Sequence, residues 1–113
     1  MQCMDISSLD LRKSDLRKTK LSGLDFSNMD LTGANLSGVS LKGSNFNGAI
    51  LRNANLSGAQ MDGFRDKHNK LSIVNIVGAD LRGADLSKAS LRQADFTGSN
   101  LTNANLSGAI LRN

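Results

Sequence analysis

The chain contains no proline, tryptophan, tyrosine or glutamate, and only one cysteine and one histidine in 113 residues. Each absence removes a class of protein. A lone Cys3 forms no intramolecular disulfide, which excludes the stapled framework of a small secreted domain and makes a reducing compartment the expectation. No run approaches the ~18 apolar residues of a membrane span. Met1-Gln2-Cys3-Met4-Asp5 has no basic stretch leading into an apolar one, so neither a signal peptide nor a membrane partner is expected. The expected location is the cytoplasm, and secretion as an effector is compatible with it.

The same scarcity bears on chemistry. His68 is the only imidazole and Cys3 the only thiol, so a Ser-His-Asp or Cys-His arrangement would rest on one isolated residue. A ladder of Asp and Asn lacks the soft ligands of a zinc site and the oxygen density of a calcium site. No catalytic, cofactor-binding or metal-binding residues are therefore assigned, and the chain is read as a non-enzyme without cofactors. A net charge of +4 and four phenylalanines supply neither the charge nor the stacking platforms of a nucleic-acid binder, so nucleic acid is disfavoured as a partner.

What the sequence does contain is a period of five. Counting from Ile6 in fives, every position to Leu111 is large and apolar except Asp66. All ten alanines stand two before such a centre, as in Ala34, Ala54 and Ala84, and all 11 glycines stand two after one. Asp or Asn commonly precedes the centre, and Ser, Thr or Arg follows it. A period of five matches neither a helix nor a flat strand, so the chain must turn once per repeat. A short extended segment closed by a type II turn suits the unit, because the third turn position needs φ > 0 and favours Gly or Asn. Where that position holds Lys13, Lys18, Lys88 or Gln93, a different turn is expected. Four right-angle turns close a 20-residue square coil, with leucine centres and alanines inside, and the chain makes about five to six coils.

The units Ala34-Asn35-Leu36-Ser37-Gly38, Ala54-Asn55-Leu56-Ser57-Gly58, Ala79-Asp80-Leu81-Arg82-Gly83, Ala84-Asp85-Leu86-Ser87-Lys88 and Ala104-Asn105-Leu106-Ser107-Gly108 resemble the A(D/N)LXX signature of the pentapeptide repeat family. The resemblance covers nearly the whole chain. It implies an all-β fold, a right-handed quadrilateral parallel β-helix. For function it implies several roles, since the family includes topoisomerase-protecting DNA mimics, bacterial effector domains and developmental regulators.

Three departures from the pattern follow. Segment 64–70 carries Phe64 at a small position, Asp66 at a centre, and the basic or His residues Arg65, Lys67, His68 and Lys70. Burying Asp66 unpaired would be costly, so the segment either bulges outward or turns the carboxylate to water, and any looped piece should be a multiple of five because the register resumes at Leu71. At the N-terminus, Met4, Leu9, Leu24 and Met29 replace alanine. Residues 1–10 are read as a cap on a single repeat domain, 4–113. The last residues, Gly108 to Asn113, stop in mid-pattern, which suggests an end-to-end homodimer or a fragment of a longer protein. Finally, an unbroken 20-residue coil would align Arg12, Arg52, Arg92 and Arg112 on one face, with Thr32 and Ser72 between them, provided the irregular segment leaves the coil phase alone.

The expected function is a non-catalytic protein-interaction or scaffold module of a bacterial effector or regulator. Its partner-binding residues are Arg65, Lys67, His68 and Lys70 or the Arg12/Arg52/Arg92/Arg112 face, and its partner is a protein with an acidic surface. The alternative implied by the resemblance is a DNA-mimicking DNA gyrase binder conferring quinolone resistance. Such a mimic needs an acidic face, which a charge of +4 disfavours.

Overall fold

The computed structural model describes residues 9–111. Most repeats close on a backbone bond from the residue three after the centre to the centre's carbonyl, as in Ser14 N–H to Leu11 (3.2 Å), Ala34 N–H to Leu31 (2.9 Å) and Ala54 N–H to Leu51 (3.1 Å). The second residue after the centre has φ near +70° at Gly33, Gly38 and Gly48, the type II geometry that only glycine and asparagine adopt without strain. Asp or Asn before the centre reinforces the turn. The Asn35 Oδ1, for example, accepts the Ser37 N–H at 3.1 Å and its hydroxyl at 2.8 Å.

Lys13, Lys88 and Gln93 correct one expectation. All three take positive φ, at 58°, 59° and 64°, while Lys18 does not. The stack overrides the local preference: Lys13 N–H donates to Thr32 O at 2.9 Å and Lys88 N–H to Ser107 O at 2.8 Å, and those ladder bonds offset a strain of about 1–2 kcal/mol. Next to each of the two lysines the following coil presents a glycine, Gly33 or Gly108, over which the lysine stem lies.

Four turns per coil bring residues 20 apart into parallel bridges, such as Asp15 with Asn35 and Asn35 with Asn55. Most centres then donate their N–H to the next coil, as in Leu36 N–H to Asn55 O at 2.7 Å. The result is a parallel β-helix whose four sides can be named by their central residues: the Leu51, Leu56, Met61 and Phe46 sides. The core runs up its axis. Leu31, Leu36, Leu41, Leu51, Leu56 and the alanines from Ala34 to Ala89 are buried, and the rings of Phe26 and Phe46 stack with centroids 4.8 Å apart and planes 6° apart. Ser44, the one polar residue buried among the described residues, stands at an alanine position and its hydroxyl donates to Leu21 O at 2.8 Å. Leu24 and Met29 pack partly against the core at their small positions, whereas Leu9 is exposed. Residues 1–8, most of the proposed cap, lie outside the described residues.

The coil is broken once. Asn45 bridges to Asn75, Ile50 to Asp80 and Gln60 to Ser90, spacings of 30 where 20 prevails on both sides. Ten residues have therefore been expelled, two repeats. They form an antiparallel hairpin of β1 (Phe64–Arg65) and β2 (Leu71–Ser72). Asp66, unable to enter the core, takes the hairpin turn: its Oδ1 accepts the N–H of His68 at 2.8 Å and of Lys70 at 3.0 Å. The core resumes at Val74 and Ile76 and not at Leu71, which stands exposed on β2.

Candidate functional site

The expelled hairpin changes which arginines meet. Ten residues are two sides of a square coil, so everything after the hairpin is rotated by half a turn relative to an unbroken stack. Arg12 and Arg52 remain on the Leu51 side with Thr32 between them, but the next residue in their column is Arg82, as the bond from Asn53 N–H to Arg82 O (3.0 Å) shows. Arg92 falls on the opposite, Met61 side, where Gly63 N–H donates to Arg92 O at 2.9 Å. The four-arginine stripe is thus split, and Ser72 is on the hairpin. Arg112 lies outside the described residues.

Each of these arginines is held by an aspartate. Arg12 grips Asp10 through Nε at 3.0 Å and Nη2 at 2.8 Å, which lowers the Asp10 pKa to about 2. Asp80 takes two arginines. Arg82 donates to it through Nε (2.9 Å) and Nη2 (2.8 Å), and Arg52, from the preceding coil, through Nε at 2.6 Å. These bonds, those of Arg82 foremost, hold the Asp80 carboxyl well below the usual carboxylate range. An open depression of about 350 Å³ lined by Arg52, Asn53, Arg82, Gly83 and Asn103 adjoins the pair. On the Met61 side Asp62 accepts the Ser90 hydroxyl at 2.5 Å and the Arg92 amide at 2.9 Å and guanidinium at 3.1 Å. Burial pushes the Asp62 pKa up, but these bonds outweigh it and leave it lowered. Asp80, Arg82 and Asp62 escape a reading of the sequence that assumes an unbroken 20-residue coil; in a 30-residue one, Arg52 and Arg82 are neighbours by count.

The hairpin is different. Among the described residues, the side chains of Lys67, His68 and Lys70 enter no hydrogen bond or ion pair, and Arg65 donates only to the Asn69 carbonyl, at 3.0 Å. All four are exposed. The only carboxylate on the hairpin, Asp66, is engaged by backbone amides. The root is fixed by Phe64, whose ring packs over Gly43, where a β-carbon would stand 3.6 Å from it. The hairpin therefore gathers unpaired basic residues on one projection, while the arginines of the columns are paired and the coil's unpaired lysines, Lys13, Lys18, Lys20, Lys42 and Lys88, are spread over three sides. Among the described residues no group of three or more His, Cys or Asp could hold a metal ion, and no helix is long and apolar enough to cross a membrane.

The chain is similar to proteins of known structure, one of them with a TM-score above 0.5. A pentapeptide repeat protein of the Arabidopsis thaliana thylakoid lumen is 30% identical, with a TM-score of 0.62 over 84% of this chain and 63% of that one. HetL, a pentapeptide repeat protein involved in heterocyst differentiation regulation in the cyanobacterium Nostoc, is 33% identical with a TM-score of 0.41, over 89% of this chain and 46% of its own. QnrB1, a plasmid-mediated fluoroquinolone resistance protein, is 24% identical with a TM-score of 0.30, over 88% of this chain and 61% of its own. The chain spans less than two thirds of the length of each. No curated protein matches it. Pentapeptide repeats match in 8 copies over residues 10–48, 30–65 and 75–113, leaving out the hairpin turn and β2, and by this match the chain belongs to the pentapeptide repeat family.

Proposed function

We propose that this chain is a non-catalytic protein-interaction module, a right-handed square β-helix of about five coils once the ten expelled residues are set aside, within one domain, residues 4–113, that carries a single basic hairpin as its contact element. The observation that supports it is the hairpin itself: two repeats leave the stack and gather Arg65, Lys67, His68 and Lys70 on one exposed projection, with no ion pair among the described residues, whereas the unpaired lysines of the coil, Lys13, Lys18, Lys20, Lys42 and Lys88, are spread over three of its sides. Loops set on a rigid repeat scaffold are where binding residues concentrate. An acidic protein surface fits such a hairpin by charge.

A DNA-mimicking role is less well supported. The only side of the coil without Lys or Arg among the described residues carries two carboxylates, Asp25 and Asp95, too few to imitate a row of phosphates.

The test is capture of proteins by the immobilised chain, set beside a variant lacking residues 64–73, which restores the 20-residue coil, and beside Arg52→Glu. Binding that survives Arg52→Glu and disappears with the hairpin supports the reading. A partner retained without the hairpin, or a substrate turned over by the chain, refutes it.

A further inference from the structure

The sides of the coil differ in charge. The Leu51, Leu56 and Met61 sides each carry lysine or arginine, among them Arg52, Lys88 and Arg92. The Phe46 side carries none among the described residues. Its outward row is Asp25, Asn45, Asn75 and Asp95, joined in that order by parallel bridges, so the two carboxylates stand three coil spacings apart, about 14 Å. Both are held ionised by the turns they cap. Asp25 Oδ1 accepts the Ser27 N–H at 2.9 Å and Asp95 Oδ1 the Thr97 N–H at 3.0 Å.

The hairpin grows from the corner beside this row. The chain leaves the Met61-side ladder at Gly63 and re-enters the Phe46-side ladder at Asn75. Yet Phe64 anchors the hairpin against Gly43, and no hairpin side chain bonds to the Asp25–Asp95 row of its own molecule. A cationic finger and a cation-free face thus stand side by side, each without a partner of the other sign.

We propose that the partner of this hairpin is a second copy of the chain: the basic hairpin of each copy docks on the Asp25–Asn45–Asn75–Asp95 row of the other, in two equivalent contacts related by a twofold axis. The inference rests on reading the hairpin as the contact element. Because finger and face lie side by side on one molecule, a twofold rotation satisfies both contacts at once, and in that arrangement the assembly closes at two subunits, where a head-to-tail contact would leave a finger and a face open. The contacting charges are exposed, so the association is screened by salt.

The experiment is light scattering and sedimentation of the full chain. The expected result is a dimer whose dissociation constant rises at least about tenfold between ~0.05 and ~0.5 M salt. Asp25→Asn with Asp95→Asn removes the charge without the turn, since Asn45 caps the same turn, accepting the Asn47 N–H at 2.9 Å. Lys67→Glu with Lys70→Glu reverses the finger at two lysines whose side chains enter no hydrogen bond or ion pair among the described residues. Each double variant should be monomeric, and an equimolar mixture of the two should form a heterodimer through the one intact finger-and-face contact. That complementation separates a lost interface from a lost fold. A chain that stays monomeric at ~1 mM overturns the proposal. So does a dimer that neither double variant disturbs, or one that responds to the aspartates alone. A monomer that still binds polyaspartate through the hairpin overturns the second copy as partner while leaving the hairpin as a contact element.

Discussion

The side-chain oxygen of Asn53 occupies the place that a β-carbon on Gly83, one coil further along the stack, would need. Both residues have positive φ, 56° and 69°, at equivalent turn positions. Asn28 lies over Gly48 in the same way. A turn residue that carries a side chain is accommodated here because its neighbour in the next coil has none.

Gly83→Ala therefore incurs both backbone strain and a collision, whereas Gly78→Ala, with φ +67° and nothing within 4 Å of the added carbon, incurs strain alone. The expected losses are about 2–3 kcal/mol for Gly83→Ala and about 1–2 for Gly78→Ala. Adding Asn53→Gly should bring Gly83→Ala back to the Gly78→Ala value. Urea denaturation of the four proteins decides it, and equal losses for the two alanine variants would exclude the collision.

Phe46 is fully buried and stacks on Phe26. Phe46→Ala should remove about 3–5 kcal/mol and leave the chain largely unfolded at room temperature, while Phe46→Leu, the residue at most other centres, should lose about 1–2 kcal/mol. Circular dichroism melts distinguish the two.

Asp66 organises the hairpin turn without entering the core. Asp66→Ala should leave global stability within about 0.5 kcal/mol but release the His68 and Lys70 amides, which hydrogen exchange would register as faster exchange at those two sites. A cooperative loss of the whole fold would show instead that the hairpin supports the stack.

The lowered carboxylates set the response to acid. Asp10 and Asp15 are held at about 2, and Asp80 lower still by Arg82 and Arg52. A carboxyl whose folded pKa lies below its unfolded value stabilises the fold above the unfolded pKa and ceases to do so as pH falls through the folded one. Stability should accordingly hold down to about pH 4 and decline from there to about pH 2 and below, with a shallower decline in Asp80→Asn. Thermal midpoints measured from pH 6 to 2 test this. A midpoint loss already complete at pH 4 would contradict it.

The five-residue period by itself determined which residues face inward, where the turns fall, and that residues 20 apart should stack. Side-chain phase follows directly from the spacing, and Leu36, Ala54 and Gly38 are found where it puts them. Asp66 marked the break for the same reason, since a carboxylate has no place at a core centre. The extent of the break was not readable, because expelling two whole repeats leaves the count modulo five unchanged: Leu71 keeps a core position in sequence and stands on the hairpin in space. Only the tertiary structure decided that the coil turns half a circuit there. That rotation set Arg92 opposite Arg52 and brought Asp80 between Arg52 and Arg82, and the expulsion of the hairpin left Lys67 and Lys70 without an ion-pair partner among the described residues.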